Sequence, residues 1–550
     1  MSDNTKLKIS NGLNEDKYSV KSKFVNFFLL AMFTLFPLFY TDYYYNIRHD
    51  KYYFFLVVTA VLVLMIGAVA ITNSDSQSET KNKAESVPWY KKLSFTDYAF
   101  GAFILVCTVS TVFSQDPADA FLGLSGRNNG LLLMIFYAVV YFLITRFFCF
   151  KNYVFVALAG CSIAIYLLDI LNCFYIDPLG MFASLTDEQT ITNFTSTIGN
   201  KNLMSSFICI VMPVTVAFSV ISKNRNHRIV YHISSAFGYM ALMTADSYSG
   251  ILGLGTVFAV LLIWFSRSVA RLKRFFLATT IMLLSGKILR LFSFFMGDKS
   301  KGISEFQSLL VYSKIIWAAI ALFAIITAIL FFADSKTPDK TLPLAVPIII
   351  GSIFVACIIA MLFAVYYFSV IDTKTNIGFL KSFLRFNDSW GTHRGYMWIR
   401  SFYIFGDFSL YNKLFGCGPD TFATVFEPYF EGLKHYGDSS TNCAHNEYIN
   451  YLITTGIFGL ASYLSIIFGA LKGAIKSASK NPIAIAFAVS VISYAVQAVV
   501  NLAQPITTPL FIIFIALSRQ LPVSKKQLNK HKQDSLYTKL SCYFLRSFSA

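Results

Sequence analysis

Apolar runs of about 20 residues repeat along most of the chain and alternate with shorter polar segments. A helix needs about 20 mostly apolar residues to cross the hydrocarbon of a bilayer, so each run predicts one membrane-spanning helix. The approximate cores of these runs are 24–40, 53–72, 96–114, 130–148, 153–174, 203–221, 228–244, 250–266, 275–296, 309–332, 343–366, 447–470, 482–502 and 506–518. The pattern predicts an all-α fold, a polytopic transmembrane bundle of about 14 helices.

Composition agrees with this prediction. Of the 550 residues, 55% are hydrophobic and only 14% are charged, whereas soluble proteins carry about 25% charged residues. The formal net charge of +17 does not indicate a nucleic-acid partner, because the basic residues form short clusters between apolar runs rather than one face or stripe. The bilayer is the partner that this pattern predicts.

The basic clusters also predict an orientation. KNK at 81–83, KNRNHR at 223–228, RLKR at 271–274 and SKKQLNKHK at 524–532 fall in alternate connections or in the C-terminal tail. Cytoplasmic loops are enriched in Lys and Arg, so both termini are predicted to be cytoplasmic. The predicted regions are an N-tail (1–23), a transmembrane bundle of about 11 helices (24–366), an extracytoplasmic loop (367–446), C-terminal transmembrane helices (447–518) and a basic cytoplasmic C-tail (519–550).

The predicted extracytoplasmic loop, called here the outer loop, is far longer than usual connections between helices. It is rich in aromatic and basic residues, and its pattern predicts short amphipathic helices around a Gly-Pro turn at Gly418 and Pro419. No internal repeat is evident, which weakens a transporter model built from inverted repeats.

Two polar patches before the outer loop are candidates for binding an anion. In SGRNNG, Arg127 is flanked by Gly and Asn; it either holds phosphate oxygens or is a solvated residue of an interfacial turn. In TIGNKNLMSS, Asn200, Lys201 and Asn202 precede a helix, whose free N–H groups favour anions. The alternative is that an Asn simply caps that helix.

A third patch, GTHRGYMWIR, lies inside the outer loop. Arg394 and Trp398 are four residues apart and share a face if the segment is helical, and Arg400 follows. This pattern either presents a cation and an aromatic plane to a ligand or is an amphipathic helix at the headgroup layer.

The fourth patch, TNCAHNEYIN, begins a membrane helix. His445 is accompanied by Asn446 and Glu447, and Asn450 lies one turn deeper. Histidine is the side chain best suited to take a proton near neutral pH. A polar helix start is the alternative interpretation, although it accounts less well for Asn450, because deep polar groups face a cavity or a partner.

Other chemistry is less favoured. A zinc site from His393, His435 and His445 lacks a close-spaced ligand pair, so no metal is predicted. A disulfide between Cys417 and Cys443 is conceivable outside the cell.

The motifs THRGYMW, FGCGPDTF and AHNEYINYLITTGIFGL, in this order, resemble the O-antigen ligase and polysaccharide polymerase family of bacterial membrane glycosyltransferases. SGRNNG and GNKN look like two further outer-face patches of that family. One departure is TADSYSGILGL, from Thr244 to Leu254, which lacks the Arg of a family Ser-Arg pair.

The resemblance implies transfer or polymerisation of a glycan from a polyprenyl-diphosphate donor to an acceptor hydroxyl at the outer face of a bacterial cytoplasmic membrane. The acceptor is a glycan, a lipid or a wall component, the anomeric centre is inverted, and neither metal nor cofactor is needed. His445 is the implied base. The implied site residues are, for the diphosphate, Arg394, Arg127, Lys201, Arg400, Asn200 and Asn202, and, for orientation, Asn446, Glu447 and Trp398.

Two other classes of function remain open from the sequence. A transporter or flippase of lipid-linked sugars would form no bonds and would place charges deep in several helices, whereas here the charge gathers in the predicted outer loops. A structural subunit of an envelope assembly would not need His445 beside Asn446.

Overall fold

A computed structural model describes residues 20–74 and 93–519, except 125, 298 and 339. The cytoplasmic tails predicted at 1–23 and 519–550 and the basic cluster at 81–83 lie almost wholly outside the described residues. The long helices are α1 (Val20–Leu38), α2 (Ile47–Ser74), α3 (Phe95–Val112), α4 (Leu131–Phe147), α5 (Asn152–Cys173), α6 (Lys201–Ile221), α7 (Arg225–Thr244), α8 (Tyr248–Phe265), α9 (Val269–Met296), α10 (Ile315–Lys336), α11 (Ala345–Tyr366), α12 (Trp390–Asp407), α13 (Glu447–Ala478), α14 (Ile483–Gln497) and α15 (Thr508–Arg519).

The all-α fold class is confirmed for the described residues, which form helices and one isolated β-bridge but no strand. Eleven helices are long and apolar enough to cross a membrane, and α4 and α15 are shorter apolar helices. The helix α7 coincides with a further predicted run at 228–244. The exact count of 14 spans therefore stays a prediction, because length and composition alone establish eleven.

Charged residues inside α9 made this span the least obvious in the sequence. Lys287 is nevertheless compatible with it, because its Nζ donates hydrogen bonds to the carbonyl oxygens of Val311 and Ser313, each at 2.8 Å. Arg290 donates to the carbonyl of Tyr312 at 3.0 Å. Both side chains thus donate hydrogen bonds to backbone carbonyl groups in the segment that connects α9 to α10. Neither side chain is left without a hydrogen-bond partner in an apolar layer.

The helix α6 lies at the centre of the bundle. Nearly all its residues are buried, and it packs against α7, α8, α9 and α14. Its hydroxyl side chains are satisfied locally, as when Ser219 donates to the carbonyl of Val216. By contrast, α11 has no buried residue, which suits a helix that meets lipid along its length.

The outer loop has an apolar core of its own. Tyr396, Met397 and Ile404 of α12 pack with Phe422 and Phe426 of the following short helix. The same cluster includes Ala444, Ile449 and Ile453 at the start of α13. The loop is therefore packed onto the first two turns of α13.

The helix α13 is interrupted at Gly456, whose φ of 69° lies in the left-handed region. The interruption frees the carbonyls of Ile453 and Thr454, which accept the backbone N–H groups of Cys417 (3.1 Å) and Gly418 (3.0 Å). A side chain at Gly456 would collide with the backbone of Leu414 and Phe415. The loop and the broken helix are thus joined backbone to backbone.

This junction predicts that Gly456→Ala destabilises the protein. An added methyl group meets backbone atoms that cannot rotate away, and Ala at positive φ costs a further 1–2 kcal/mol, roughly. We expect a clearly lower thermal midpoint for the purified protein in detergent. Gly406→Ala is the matched control, since a methyl group there meets no atom within 4 Å in a regular helix; equal midpoints for the two variants would contradict this account.

Candidate active site

His445 occupies a tight turn immediately before α13. Its φ is 49°, a left-handed conformation that costs a non-glycine residue about 1–2 kcal/mol. Hydrogen bonds to the preceding peptide hold this turn: Trp398 Nε1 donates to the carbonyl of Ala444 at 3.0 Å, and Ala444 N–H donates to Asn450 Oδ1 at 3.3 Å. Asn446 then caps the helix, its Oδ1 accepting the N–H groups of residues 448 and 449. The backbone conformation of His445 is therefore imposed by its neighbours.

Arg127 reaches the same region from the loop that precedes α4. Asp420 Oδ2 accepts the N–H groups of Arg127 (2.5 Å) and Asn129 (2.9 Å), and so shapes the loop. The Arg127 Nε donates to Asn442 Oδ1 at 2.6 Å. At the far side of the loop, Asn129 Nδ2 donates to the carbonyl of Ala503 at 2.7 Å. Three distant segments of the chain thus hold the loop that carries Arg127, and one of them contacts its guanidinium.

Asp420 is itself unusual. Its φ is 62°, and it lies against Gly126, where a side chain would collide with the Asp420 carboxyl group. Burial raises the pKa of Asp420 to about 7, although the two N–H donors and the charge of Arg127 oppose that change. The carboxyl group therefore titrates near neutral pH and only partly offsets the charge of Arg127.

Arg394 enters from the start of α12. The three residues before it, Gly391, Thr392 and His393, all have positive φ, between 54° and 61°. This left-handed turn directs Arg394 inward, where its Nη1 donates to the carbonyl of Gly391 at 2.9 Å. Its Nε is buried and has no hydrogen-bond partner among the described residues. Burial lowers the pKa of Arg394, although an arginine stays charged under all physiological conditions.

The electrostatics of His445 follow from these two arginines. Burial, together with the charges of Arg127 and Arg394, lowers the pKa of His445 to about 3, and Asp438 opposes this change. The imidazole is consequently neutral at physiological pH and keeps one nitrogen free to accept a proton. A small pocket is lined by Arg127, Asp420, Cys443, Glu447 and Asn450, among others, and its lining includes neither His445 nor Arg394.

Several predicted site residues lie elsewhere or have other partners. Lys201 lines a second pocket with Asp169, Asp246 and Lys301, and the lining of this pocket shares no residue with that of the first. Arg400 forms an ion pair with the carboxylate of residue 388 at 2.6 Å and lies over a tyrosine ring.

The polar residues around α6 belong to a separate network. Asn200 caps α6 by accepting the N–H of Asn202 at 2.9 Å, and Asn202 Oδ1 accepts the hydroxyl of Ser247 at 3.0 Å. Gln497 and Asn501 donate to the hydroxyl of Ser206 at 3.0 and 3.1 Å. Hydroxyl and amide groups therefore surround Ser247, in the stretch where the resemblance led us to expect an arginine.

Glu447 does not hydrogen-bond His445. It accepts the hydroxyl groups of Tyr463 and of Tyr494, the latter at 3.1 Å. Cys417 and Cys443 are both free, so the conceivable disulfide is not formed. His393 pairs with Asp438 at 2.6 Å, and no cluster of three metal-ligating side chains occurs in the part of the chain that the structure describes.

Comparison with known families identifies the segment that carries this site. Residues 306–464 match the family model of the O-antigen ligases. This segment is therefore similar to the O-antigen ligases. The resemblance that the motifs indicated is thereby confirmed, and it supports a membrane glycosyltransferase. No curated protein matches the chain.

The O-antigen ligase segment covers less than a third of the chain. It includes Arg394, Asp420 and His445, whereas Arg127 and Lys201 precede it. The sequence alone did not single out Asp420. Its signal is faint, a carboxylate after the Gly-Pro turn in a loop otherwise rich in cations.

Asp420 offers a test of how the site is assembled. Asp420→Asn keeps an oxygen acceptor for both N–H groups and tolerates positive φ, so its thermal midpoint should stay close to that of the original protein. Asp420→Ala removes the acceptor and should cost about 1–3 kcal/mol of stability. Asp407→Ala, at an exposed carboxylate of α12, is the control. Equal effects of the Asn and Ala variants would show that these two hydrogen bonds do not matter.

Proposed function

We propose that this protein transfers or polymerises glycan from a polyprenyl-diphosphate-linked donor onto an acceptor hydroxyl at the outer face of the bacterial cytoplasmic membrane. The observation that carries the proposal is the buried turn at His445, immediately before a membrane helix, which Trp398 holds through the Ala444 carbonyl. The charges of Arg127 and Arg394 both lower the pKa of this histidine. A base beside two cations suits a reaction that removes a proton from one substrate and releases an anion from the other.

In the proposed reaction, the acceptor oxygen attacks the anomeric carbon and its proton passes to His445. The bond from that carbon to the diphosphate breaks, and the diphosphate leaves with the electron pair. Arg127 and Arg394 stabilise the charge that develops on the leaving group. A single displacement inverts the anomeric centre. This scheme requires neither a protonated leaving group nor a metal ion.

The unused Nε of Arg394 supports its role. A buried donor without an acceptor is costly, and a phosphate oxygen supplies what the protein does not. Trp398 acts on His445 through the peptide of Ala444, so we propose it as a positioning residue. Asn446 orients the same turn by capping α13.

We assign the other candidates smaller parts. Arg400 braces α12 through its ion pair at residue 388, and Asn200 and Asn202 shape the start of α6. Lys201 belongs to the second pocket, so we place it outside the first contacts of the diphosphate. Glu447 supports the start of α13 through two tyrosines.

The direct test is glycan transfer by purified protein from a polyprenyl-diphosphate-linked glycan isolated from the native host, without nucleotide, ion gradient or added metal. Loss of the base in His445→Ala should lower the rate by about 10²–10⁴-fold. His435→Ala is the matched control, because His435 is exposed in the same loop. Full transfer by a properly inserted His445→Ala would refute the role of His445, whereas movement of donor lipid across vesicles without bond formation would favour a flippase.

The pH dependence supplies a second test. Because the His445 pKa is about 3 in the free protein, its neutral form persists as the pH falls through 6.5, the usual histidine value. A bound diphosphate neutralises the arginines and raises the pKa of His445. The acid limb of kcat, which reports the donor complex, should therefore lie at higher pH than the acid limb of kcat/KM.

Asp420 also titrates near neutral pH, so the comparison is made in Asp420→Asn. A diester of diphosphoric acid does not titrate in this range and adds no limb of its own. Coincident acid limbs near pH 6.5 for kcat and kcat/KM would contradict this arrangement of charges.

A further inference from the structure

The second pocket, which Lys201 lines, has no ligand assigned to it. Its lining comes from five parts of the chain: the end of α5, the loop before α6, the start of α6, the end of α7 and the connection that follows α9. Charged side chains come from four of these parts, and they belong to Asp169, Lys201, Asp246 and Lys301. A pocket with so many ionisable groups needs a chemical explanation.

Hydrogen bonds hold the wall of the second pocket together. The buried carboxylate of Asp169 in α5 accepts the hydroxyl of Thr195 and, at 2.6 Å, that of Thr244 at the end of α7. Lys301 donates its backbone N–H to the carbonyl of the last residue of α5 at 2.8 Å, and its Nζ to the carbonyl of Phe194 at 2.6 Å. The wall is therefore fixed to the helix ends that surround it.

Three polar groups of the lining remain available to a ligand. The side chain of Lys201 makes neither an ion pair nor a hydrogen bond with the described residues. Asp246 Oδ1 accepts the N–H of Ser304 at 2.8 Å, whereas its Oδ2 has no hydrogen-bond partner among those residues. The ammonium group of Lys301 has three donors, and the carbonyl of Phe194 uses one of them. Donors and an acceptor therefore line the same pocket.

The formal charges of the lining cancel. The carboxyl groups of Asp169 and Asp246 are matched by the ammonium groups of Lys201 and Lys301. A site for a diphosphate needs a surplus of positive charge, which this pocket lacks. A sugar ring is the better complement, because each of its hydroxyl groups both donates and accepts hydrogen bonds. The ring of Phe194 adds an apolar surface to the lining, as is usual in ligand pockets.

The second pocket lies beside the first. Lys201 begins α6, and the carbonyl of the next residue, Asn202, accepts Asn501 Nδ2 at 2.9 Å. The residue after Asn501 is Leu502, which lines the first pocket together with Arg127. One hydrogen-bonded pair of residues thus connects the two linings.

We propose that the second pocket binds a sugar residue of the glycan substrate, with Lys201, Lys301 and Asp246 as its hydrogen-bonding partners. This inference rests on the proposed function, in which a glycan is transferred. The sugar belongs either to the donor, next to the diphosphate, or to an acceptor glycan, and both sources present the same hydroxyl chemistry. The pocket is assigned to substrate recognition and not to the bond-forming step.

The experiment measures ligand binding to the purified full chain in nanodiscs of neutral lipid. The probes are the polyprenyl-diphosphate-linked glycan of the native host, the free glycan released from it by mild acid, and farnesyl diphosphate, which carries no sugar. We expect Lys201→Met to weaken glycan binding by about tenfold, as the loss of a hydrogen bond to a charged group does, and to leave farnesyl diphosphate binding unchanged.

A second variant and a control accompany Lys201→Met. Asp246→Asn keeps the acceptor for Ser304 and tolerates the φ of 48° at this position, so it should fold normally and also weaken glycan binding. Lys299→Met is the matched control, because Lys299 is exposed in the same connection as Lys301 and does not line the pocket. It should bind all three probes like the original protein.

The two glycan probes distinguish the sources of the sugar. Weaker binding of the lipid-linked glycan assigns the pocket to the donor, and weaker binding of the free glycan alone assigns it to the acceptor. Unchanged binding of both glycans in Lys201→Met and Asp246→Asn would overturn the inference. So would an equal loss of farnesyl diphosphate binding in Lys201→Met, because Lys201 would then belong to the diphosphate site.

Arg127→Ala and Arg394→Ala separate this inference from the proposed function. The proposed function expects both to weaken farnesyl diphosphate binding. If neither does, the proposed diphosphate site fails, whatever the glycan probes show for Lys201→Met. If both do while Lys201→Met and Asp246→Asn bind the glycans normally, the sugar site fails alone.

Discussion

The backbone junction between the outer loop and α13 is the constraint on which the rest of the site depends. The break at Gly456 frees two carbonyl groups, and Cys417 and Gly418 use them. Asp420 follows two residues later, and its carboxyl group accepts two backbone N–H groups of the loop that carries Arg127. On the other side, the first turn of α13 carries His445, whose backbone Trp398 holds. One interruption in a helix therefore helps to bring together His445 and Arg127, which lie far apart in the sequence.

Charge at this site is concentrated rather than balanced. Ion pairs elsewhere in the chain bring opposite charges together, as for Arg400 and Asp388 or Lys273 and Asp334. By contrast, the charges of Arg127 and Arg394 both act on His445, and the carboxyl group of Asp420, which contacts the Arg127 loop, titrates near neutral pH. Such an arrangement costs stability in the free protein, and under the proposed function a bound polyanion would offset that cost.

Much of the site could be recognised in the sequence, because its parts are local. Arg394, Trp398 and His445 stand in short polar stretches within an apolar chain, and those stretches are conspicuous. Lys201 stood in an equally conspicuous stretch, yet it lines another pocket. The sequence motifs alone could not separate Lys201 from Arg394, Trp398 and His445. The packing of α6 and its neighbours decides which helix ends meet. Asp420 was missed for the same reason, since its contacts are with residues that are distant along the chain.

The sequence by itself determined the all-α membrane architecture, because runs of about 20 apolar residues leave a chain no other way to satisfy its backbone in lipid. It also indicated the similarity to the O-antigen ligases, through motifs whose order and spacing are local properties. Only the tertiary structure decided which cations surround His445, that Asn446 caps a helix and that Cys417 and Cys443 stay apart as free thiols. These outcomes depend on long-range approaches of backbone to backbone, such as Gly416 against Thr454, which no local pattern encodes.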